Sequence, residues 1–288
     1  MDDILPKIHS AAPATVAALF LALLALEGAF PLRKRASRRL PRYIVNAAMT
    51  AFTFLAGALA ARAVGLNLAE WAQLKSFGLL HAAPLPSSIR FILGFLLMDL
   101  SFYYWHRANH ELPLLWRFHN AHHIDPDLDV TTSFRFHFAE VLYSSGFRAV
   151  QVLSIGVSPI TYVFYELVFS CGTAFHHSNL RLPLSFERAL GKIFVTPRMH
   201  GVHHSAIKEE TNSNYSVIFR WWDVLHRTLR LGVRQSDITI GVPAYLAPGD
   251  NSFASVLAMP FARQRDYWTG ADGIRPSRTP LDPRLMME

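Results

Sequence analysis

The sequence is poor in the groups from which disulfide scaffolds and most redox centres are built. It has one cysteine, Cys171, which excludes a disulfide framework and a thiolate metal cage. Charged residues make up 17% of the 288, below the roughly 25% of a typical soluble domain. Hydrophobic residues make up 51%, which excludes a disordered chain. There is no G-x-G-x-x-G fingerprint, no Walker loop and no cysteine pattern for haem or an iron–sulfur cluster. Internal repeats are absent, and the Ala/Leu-rich first apolar run is the one low-complexity stretch.

The net charge of +7 is concentrated rather than spread. Arg33, Lys34, Arg35, Arg38, Arg39 and Arg42 lie between two apolar stretches, which marks a membrane topology and not a nucleic-acid surface. Ala11–Phe30 carries one charge, Glu27, and Asn46–Gly65 carries one, Arg62. Each has the ~20 residues a membrane-crossing helix needs, and neither shows the polar face of a soluble helix. The acidic start Met1-Asp2-Asp3 argues against a cleaved signal peptide. Positive charge after the first span puts Pro31–Tyr43 in the cytoplasm and Leu66–Ser88 outside. Ile89–Trp105 then returns, so the histidines from His106 onward are expected on the cytoplasmic face. A further apolar segment, Gly146–Phe175, is broken by Gly156 and Pro159 and is expected as a re-entrant or shallow helical hairpin. Tyr267–Glu288, rich in proline and glycine, reads as a loose tail. The expected fold is all-α and integral to the membrane: about four transmembrane or re-entrant helices with a cytosolic helical cap. It divides into an anchor (1–88), a catalytic domain (89–231) and an extension (232–288). Arginine outnumbers lysine 23 to 5, which points to a GC-rich bacterial genome and an inner-membrane location.

Of the 14 histidines, eight form three tight groups. These are His106 with His110, then His119, His122 and His123, then His200, His203 and His204. On a helix, positions i, i+3 and i+4 share a face, so each group aims its imidazoles at a common point. That many unmetallated imidazoles at the ends of membrane helices would be costly to desolvate. Neutral imidazole is a good donor to Fe, Zn, Cu or Ni, and eight donors exceed what one ion accepts. Two metals are therefore expected. Between His176 and His177 one is expected to ligate. His137 is left open between a ligand, a supporting contact and a lipid-facing role, while His9, His81 and His226 read as surface or structural. Asp99, Asp125 and Glu140 are the carboxylates expected to orient imidazole N–H groups, with Glu111 as a further candidate. Asp99 stands out because a carboxylate inside an apolar helix is expensive. Phe102-Tyr103-Tyr104-Trp105 and Phe134-Arg135-Phe136 fit either a substrate cleft or an interfacial belt.

H-x3-H followed by two H-x2-H-H boxes between apolar spans resembles the fatty acid hydroxylase superfamily, which includes sterol desaturases, C-4 sterol methyl oxidases and alkylglycerol monooxygenase. The resemblance covers about half the chain, roughly Ile89–Leu231. It extends to the approach Asp99–His110, to Phe175-His176-His177-Ser178-Asn179, to Thr196–His200, and to Asn214-Tyr215 and Trp222-Asp223. Ser216, where glycine is usual, and Leu225-His226-Arg227-Thr228 depart from the pattern and put the subfamily in doubt. The alignment implies His177 as the ligand of its pair and Asn179 as a site residue. It further implies two iron ions (zinc being possible in purified protein), O2 as co-substrate and a lipid substrate drawn from the bilayer. Since the chain lacks an electron-carrying group of its own, a ferredoxin- or cytochrome-type donor is required. Two readings compete with this one, a zinc-dependent membrane hydrolase and a non-catalytic membrane metal-binding protein. The hydrolase is disfavoured because no H-E-x-x-H pairing supplies a general base.

Overall fold

A computed structural model describes residues 4–36, 39–60 and 62–278. Among these, every regular element is a helix, with isolated bridges pairing Pro31 with Leu180, Phe194 with Phe219 and Ser205 with Ile240. The acidic start Met1–Asp3, Arg38 and the tail beyond residue 278 lie outside the described residues.

Helix α1 (Ile4–Ala29) is apolar around its whole circumference, as the sequence suggests. Its stretch Leu5–Ala29, of mean hydropathy 1.8, is the one among the described residues long and apolar enough to cross a membrane by length and composition. The second apolar run is divided: α2 (Arg39–Ala60) begins earlier than expected, and α3 (Arg62–Leu74) takes up Gly65. A Cβ at Gly65 would lie 2.2 Å from the Tyr162 hydroxyl, so glycine is what lets α3 reach its neighbour. Next come α4 (Ser87–Glu111) and α5 (Pro113–His123).

The third apolar segment folds as two helices joined by a short turn. α6 (Phe138–Ile155, 18 residues) and α7 (Pro159–His177, 19 residues) are two full antiparallel helices, because α6 starts eight positions before the apolar run does. At ~1.5 Å per residue each is about as long as the hydrocarbon core is thick. The expected breakers act at the turn. Gly156 caps α6 at φ 73°, and Ser158 caps α7 by accepting from the Thr161 N–H, with Pro159 at the first helical position. Gly156 meets Gly78 (φ 102°) so closely that a Cβ on either would strike the other's backbone.

α1 packs on α7, α2 and α3 on α6, and α4 on α5, α6 and α7. A core of Leu80, Phe95, Met98, Val152, Val163 and Tyr165 fills the end away from the histidines. Short helices follow: α8 (Leu184–Leu190), α9 (Pro197–His203), α10 (Lys208–Thr211), α11 (Trp221–His226) and α12 (Phe253–Ala258). The segment after residue 231 is not loose up to 278. Val242, Tyr245, Val256 and Met259 pack with Trp116 and Ile124 of the α5 region, and Trp268 stacks on Trp116 at 5.8 Å.

The basic run does not face outward as a block. Arg33 and Arg42 are buried, while Lys34 and Arg39 are exposed. The Arg42 guanidinium donates to both Asp125 oxygens (2.5 and 2.8 Å) and to Asp129 (2.5 Å), and Arg35 also pairs with Asp129. The run therefore ties the start of α2 to the loop after α5.

Candidate metal centre

Four segments deliver nine imidazoles to one end of the bundle. His106 and His110 lie on the last turns of α4, which stops where Leu112 takes extended backbone. Pro113 opens α5, at a position where its missing N–H costs nothing, and the corner brings His119, His122 and His123 back toward α4. His177 ends α7, and α9, opened by Pro197, supplies His200 and His203, with His204 as its cap.

The nine form two groups whose candidate ligand atoms lie within 4.8 Å of one another. His106, His110, His119, His123 and His203 make one, and His122, His177, His200 and His204 the other. All are buried. The groups adjoin, with the rings of His123 and His204 stacked 4.3 Å apart.

Outer contacts set which nitrogen faces inward. The Nδ1 atoms of His106, His119 and His203 each lie 2.7 Å from an acceptor: the Tyr215 carbonyl, Glu140 Oε1 and the Ser213 carbonyl. His177 Nδ1 lies 2.8 Å from the Thr173 carbonyl. Each contact needs the ring proton on Nδ1 and leaves Nε2 as a lone pair. In the four-histidine group, Nε2 of His177 sits 3.0 Å from Nε2 of both His122 and His200, and His204 Nε2 is 3.1 Å from His200 Nε2. The single proton of His177 is spent on Thr173, so its Nε2 has none to share. Nitrogens ~3 Å apart, each ~2.1 Å from a common ion, subtend about a right angle at that ion. In the other group, Nε2 of His110, His119, His123 and His203 is buried without a partner. Buried orphans are rare, and here they converge. Burial holds His122, His123, His200, His203 and His204 well below the ordinary histidine range, which keeps them in the neutral, ligating form. The donor set fits two borderline divalent ions.

His176 and His137 lie outside both groups. His176 Nδ1 bonds the Val217 carbonyl, and His137 caps α6 through the Ala139 N–H while its Nε2 reaches the Leu257 carbonyl. His226 stacks on Tyr103 at 4.6 Å and contacts the Tyr104 hydroxyl, a structural role as expected. His9 is exposed but lines the cavity described below.

Of Asp99, Glu111, Asp125, Glu140 and Asn179, only Glu140 touches an imidazole. Asp99 contacts none: its Oδ2 accepts from the Trp222 indole (2.7 Å) and the Phe219 N–H (3.2 Å), pinning the loop before α11 to α4. Asp125 is taken up by Arg42, Asn46 and Thr132, and lies 3.3 Å from Arg135. Asn179 clamps the chain after α1, accepting from the Arg33 N–H (2.9 Å) and donating to its carbonyl (3.0 Å). Glu111 pairs with Arg107 at the surface. The carbonyls of Ser213, Tyr215 and Thr173 take the orienting role instead. Backbone acceptors leave no mark in residue type, although Asn214-Tyr215 stands where the motif did. Glu140→Ala is expected to weaken metal binding by about 10–100-fold, measured by chelator competition, because His119 then loses its orienting partner.

A cavity of about 700 Å³ runs from His119, His122, His177 and His200 down between α1, α2, α6 and α7. Phe102, Trp105, Phe134 and Phe136 line it, which resolves the aromatic stretches toward the cleft, whereas Tyr104 faces out.

Residues 91–228, a little under half of the chain, match the fatty acid hydroxylase family. Over 179 residues the chain is 31% identical to the ornithine lipid hydroxylase OlsE of Rhizobium tropici, covering 62% of this chain and 52% of that protein. It is 29% identical to human cholesterol 25-hydroxylase (57% and 60% covered) and 26% identical to human alkylglycerol monooxygenase (55% and 34%). The chain spans about half the length of the curated relatives it matches. No solved structure matches it. The resemblance read from the histidine boxes thus holds over residues 91–228, the part of the chain that the fatty acid hydroxylase family matches.

Proposed function

We propose that the chain built around this matched region is a membrane-bound, O2-dependent lipid oxidoreductase, with two iron ions held by the nine histidines. The observation that carries the reading is the sorting of nine buried imidazoles into two adjoining groups at the head of an apolar cavity. Iron in such a centre supplies the oxidising power that no amino-acid side chain has against an unactivated C–H bond.

The chain's own residues do the rest. His106, His110, His119, His123 and His203 hold one ion, and His122, His177, His200 and His204 the other. Glu140 and the carbonyls of Ser213, Tyr215 and Thr173 fix the tautomers. Phe102, Phe134 and Phe136 keep the reacting end dry and guide an apolar chain toward the imidazoles. Putting one oxygen atom of O2 into a C–H bond, with the other leaving as water, takes two electrons and two protons. We assign the electrons to a separate ferredoxin- or cytochrome-type donor. The basic run after α1 supports a cytoplasmic placement of the centre.

Metal analysis of anaerobically purified protein, followed by O2 uptake on adding lipid extract and a reductant, tests this reading. Two irons per chain and lipid-dependent O2 consumption are expected. Stoichiometric zinc without O2 uptake would overturn it in favour of a hydrolase or a metal-binding protein.

A further inference from the structure

The cavity is not uniformly apolar. On α7, Glu166, Ser170, Thr173 and His177 follow at spacings of four, three and four, which places them on one face. All four line the cavity, as do Glu140, Ser144 and Arg148 on α6. Opposite them α1 presents Val16, Ala17 and Phe20. The α6 and α7 walls thus carry a polar track leading away from the imidazoles, while α1 contributes hydrocarbon at Val16, Ala17 and Phe20 besides His9.

The track ends in a charged pair. Arg148 Nη2 lies 3.1 Å from Glu166 Oε1. At 1.5 Å per residue, Arg148 is ~12 Å along α6 from Glu140, and Glu166 is ~16 Å along α7 from His177. The pair's members are not equally available. Arg148 also donates to Gln151 and lies over the rings of Phe102, Tyr165 and Phe169, and its side chain is 13% exposed. The Glu166 side chain is 36% exposed. The charge the cavity offers to a ligand is therefore a carboxylate. A second group along the track waits for a partner: Thr173 is buried, yet its hydroxyl makes no hydrogen bond, not even to the preceding turn as helical threonines commonly do. The ion pair with Arg148 accounts for neither the exposed part of the Glu166 carboxylate nor the unpaired Thr173 hydroxyl.

Resting on the reading above, we propose that this cavity takes a lipid whose polar part carries a protonated amine, bound by Glu166 with Thr173 contacting the same polar part. The hydrocarbon lies on the α1 side. This assigns the substrate to amine-bearing amphiphiles and away from sterols and simple alkyl chains.

The test compares two probes of equal length, dodecylamine and dodecanol, titrated calorimetrically into the full-length metal-loaded protein in neutral detergent. Wild type is expected to favour the amine by about 10–100-fold, the range of one charge-assisted contact. Glu166→Gln should lose that preference while keeping its affinity for dodecanol and its metal content, and Glu166→Asp should restore part of it. Thr173→Val should leave the amine preference intact, because ~10 Å of helix separates Thr173 from Glu166 and neither probe carries a second polar group to reach it. Equal binding of amine and alcohol by wild type overturns the proposal. So does a preference that survives Glu166→Gln. If the Gln variant loses its metals, the wild-type ratio and the Asp variant decide. The readout is binding, so it stands apart from turnover. An amine preference without lipid-dependent O2 uptake would retire the oxidoreductase and leave the amine site, and the reverse outcome would do the opposite.

Discussion

His200→Ala is expected to take the metal content from two ions per chain toward one and turnover below a hundredth of wild type. The size follows from position. Even the outer partner of a metal-bound imidazole is worth roughly 10–100-fold, and His200 is proposed as a ligand itself. Its Nε2 is the middle of the chain of contacts, 3.0 Å from His177 and 3.1 Å from His204, so its removal opens the four-histidine group at the centre. Three imidazoles would remain, two of them with an unpartnered Nδ1. The other group has five members, so His203→Ala leaves four donors there. We expect that variant to keep more metal than His200→Ala while also losing turnover. His137→Asn retains a capping side chain for α6 and touches neither group, so it should bind both ions. Elemental analysis alongside a turnover assay separates these cases. Two ions and near-normal turnover in His200→Ala would remove the four-histidine site from the centre.

Much of this centre was legible in the chain because ligand geometry is local. Imidazoles at i, i+3 and i+4 share a helix face whatever surrounds them, so His119, His122 and His123 could be grouped from spacing alone. How the nine divide into five and four was not legible. His122 leaves its neighbours on α5 to join His177, His200 and His204, a choice made by packing between distant segments. The carboxylates mark the same boundary. Glu140, Asp99 and Asp125 look alike in sequence, each an acid near apolar or histidine-rich stretches, yet only Glu140 lies opposite an imidazole. Nothing local separates it from Asp99, which a loop more than a hundred positions away has claimed. The apolar runs gave the helices but misjudged α6, since Phe138, Glu140 and Tyr143 begin it in a mixed stretch that no hydropathy run would include. Arg148 and Glu166 were visible charges inside that run, and their pairing across the α6–α7 turn is what makes them compatible with it.

The positive run shows the same limit with a larger energetic consequence, because Arg42 is spent inside the protein. Arg42→Met is expected to lower the melting temperature by on the order of 10 °C, from a loss of about 3–5 kcal/mol when one partner of a buried ion pair is removed. Arg42 binds Asp125 through two nitrogens and reaches Asp129, the Asp127 carbonyl and Thr132. Asp125 follows His123 by two positions, so the network also ties the five-histidine group to α2. Acid response distinguishes this account from simple loss of packing. Burial works against the charge on Asp129, but Arg42 overrides it and holds the carboxyl at about 2, below its ordinary 3.8. Asp125 is lowered for the same reason. A depressed folded-state value contributes stability above the unfolded value and loses it as pH falls through the folded one. Wild type should therefore hold its melting temperature down to about pH 4 and lose stability between pH 4 and 2. With Arg42 gone, Arg35 still faces Asp129 and Arg135 still lies beside Asp125, so both carboxyls rise toward their ordinary value and the variant's loss of stability between pH 4 and 2 should be shallower than that of wild type. Thermal unfolding of the detergent-solubilised protein across that range, with Arg42→Lys as a partial rescue, reads both slopes. A variant that loses stability between pH 4 and 2 as steeply as wild type would show that Arg42 does not hold these carboxylates in their charged form.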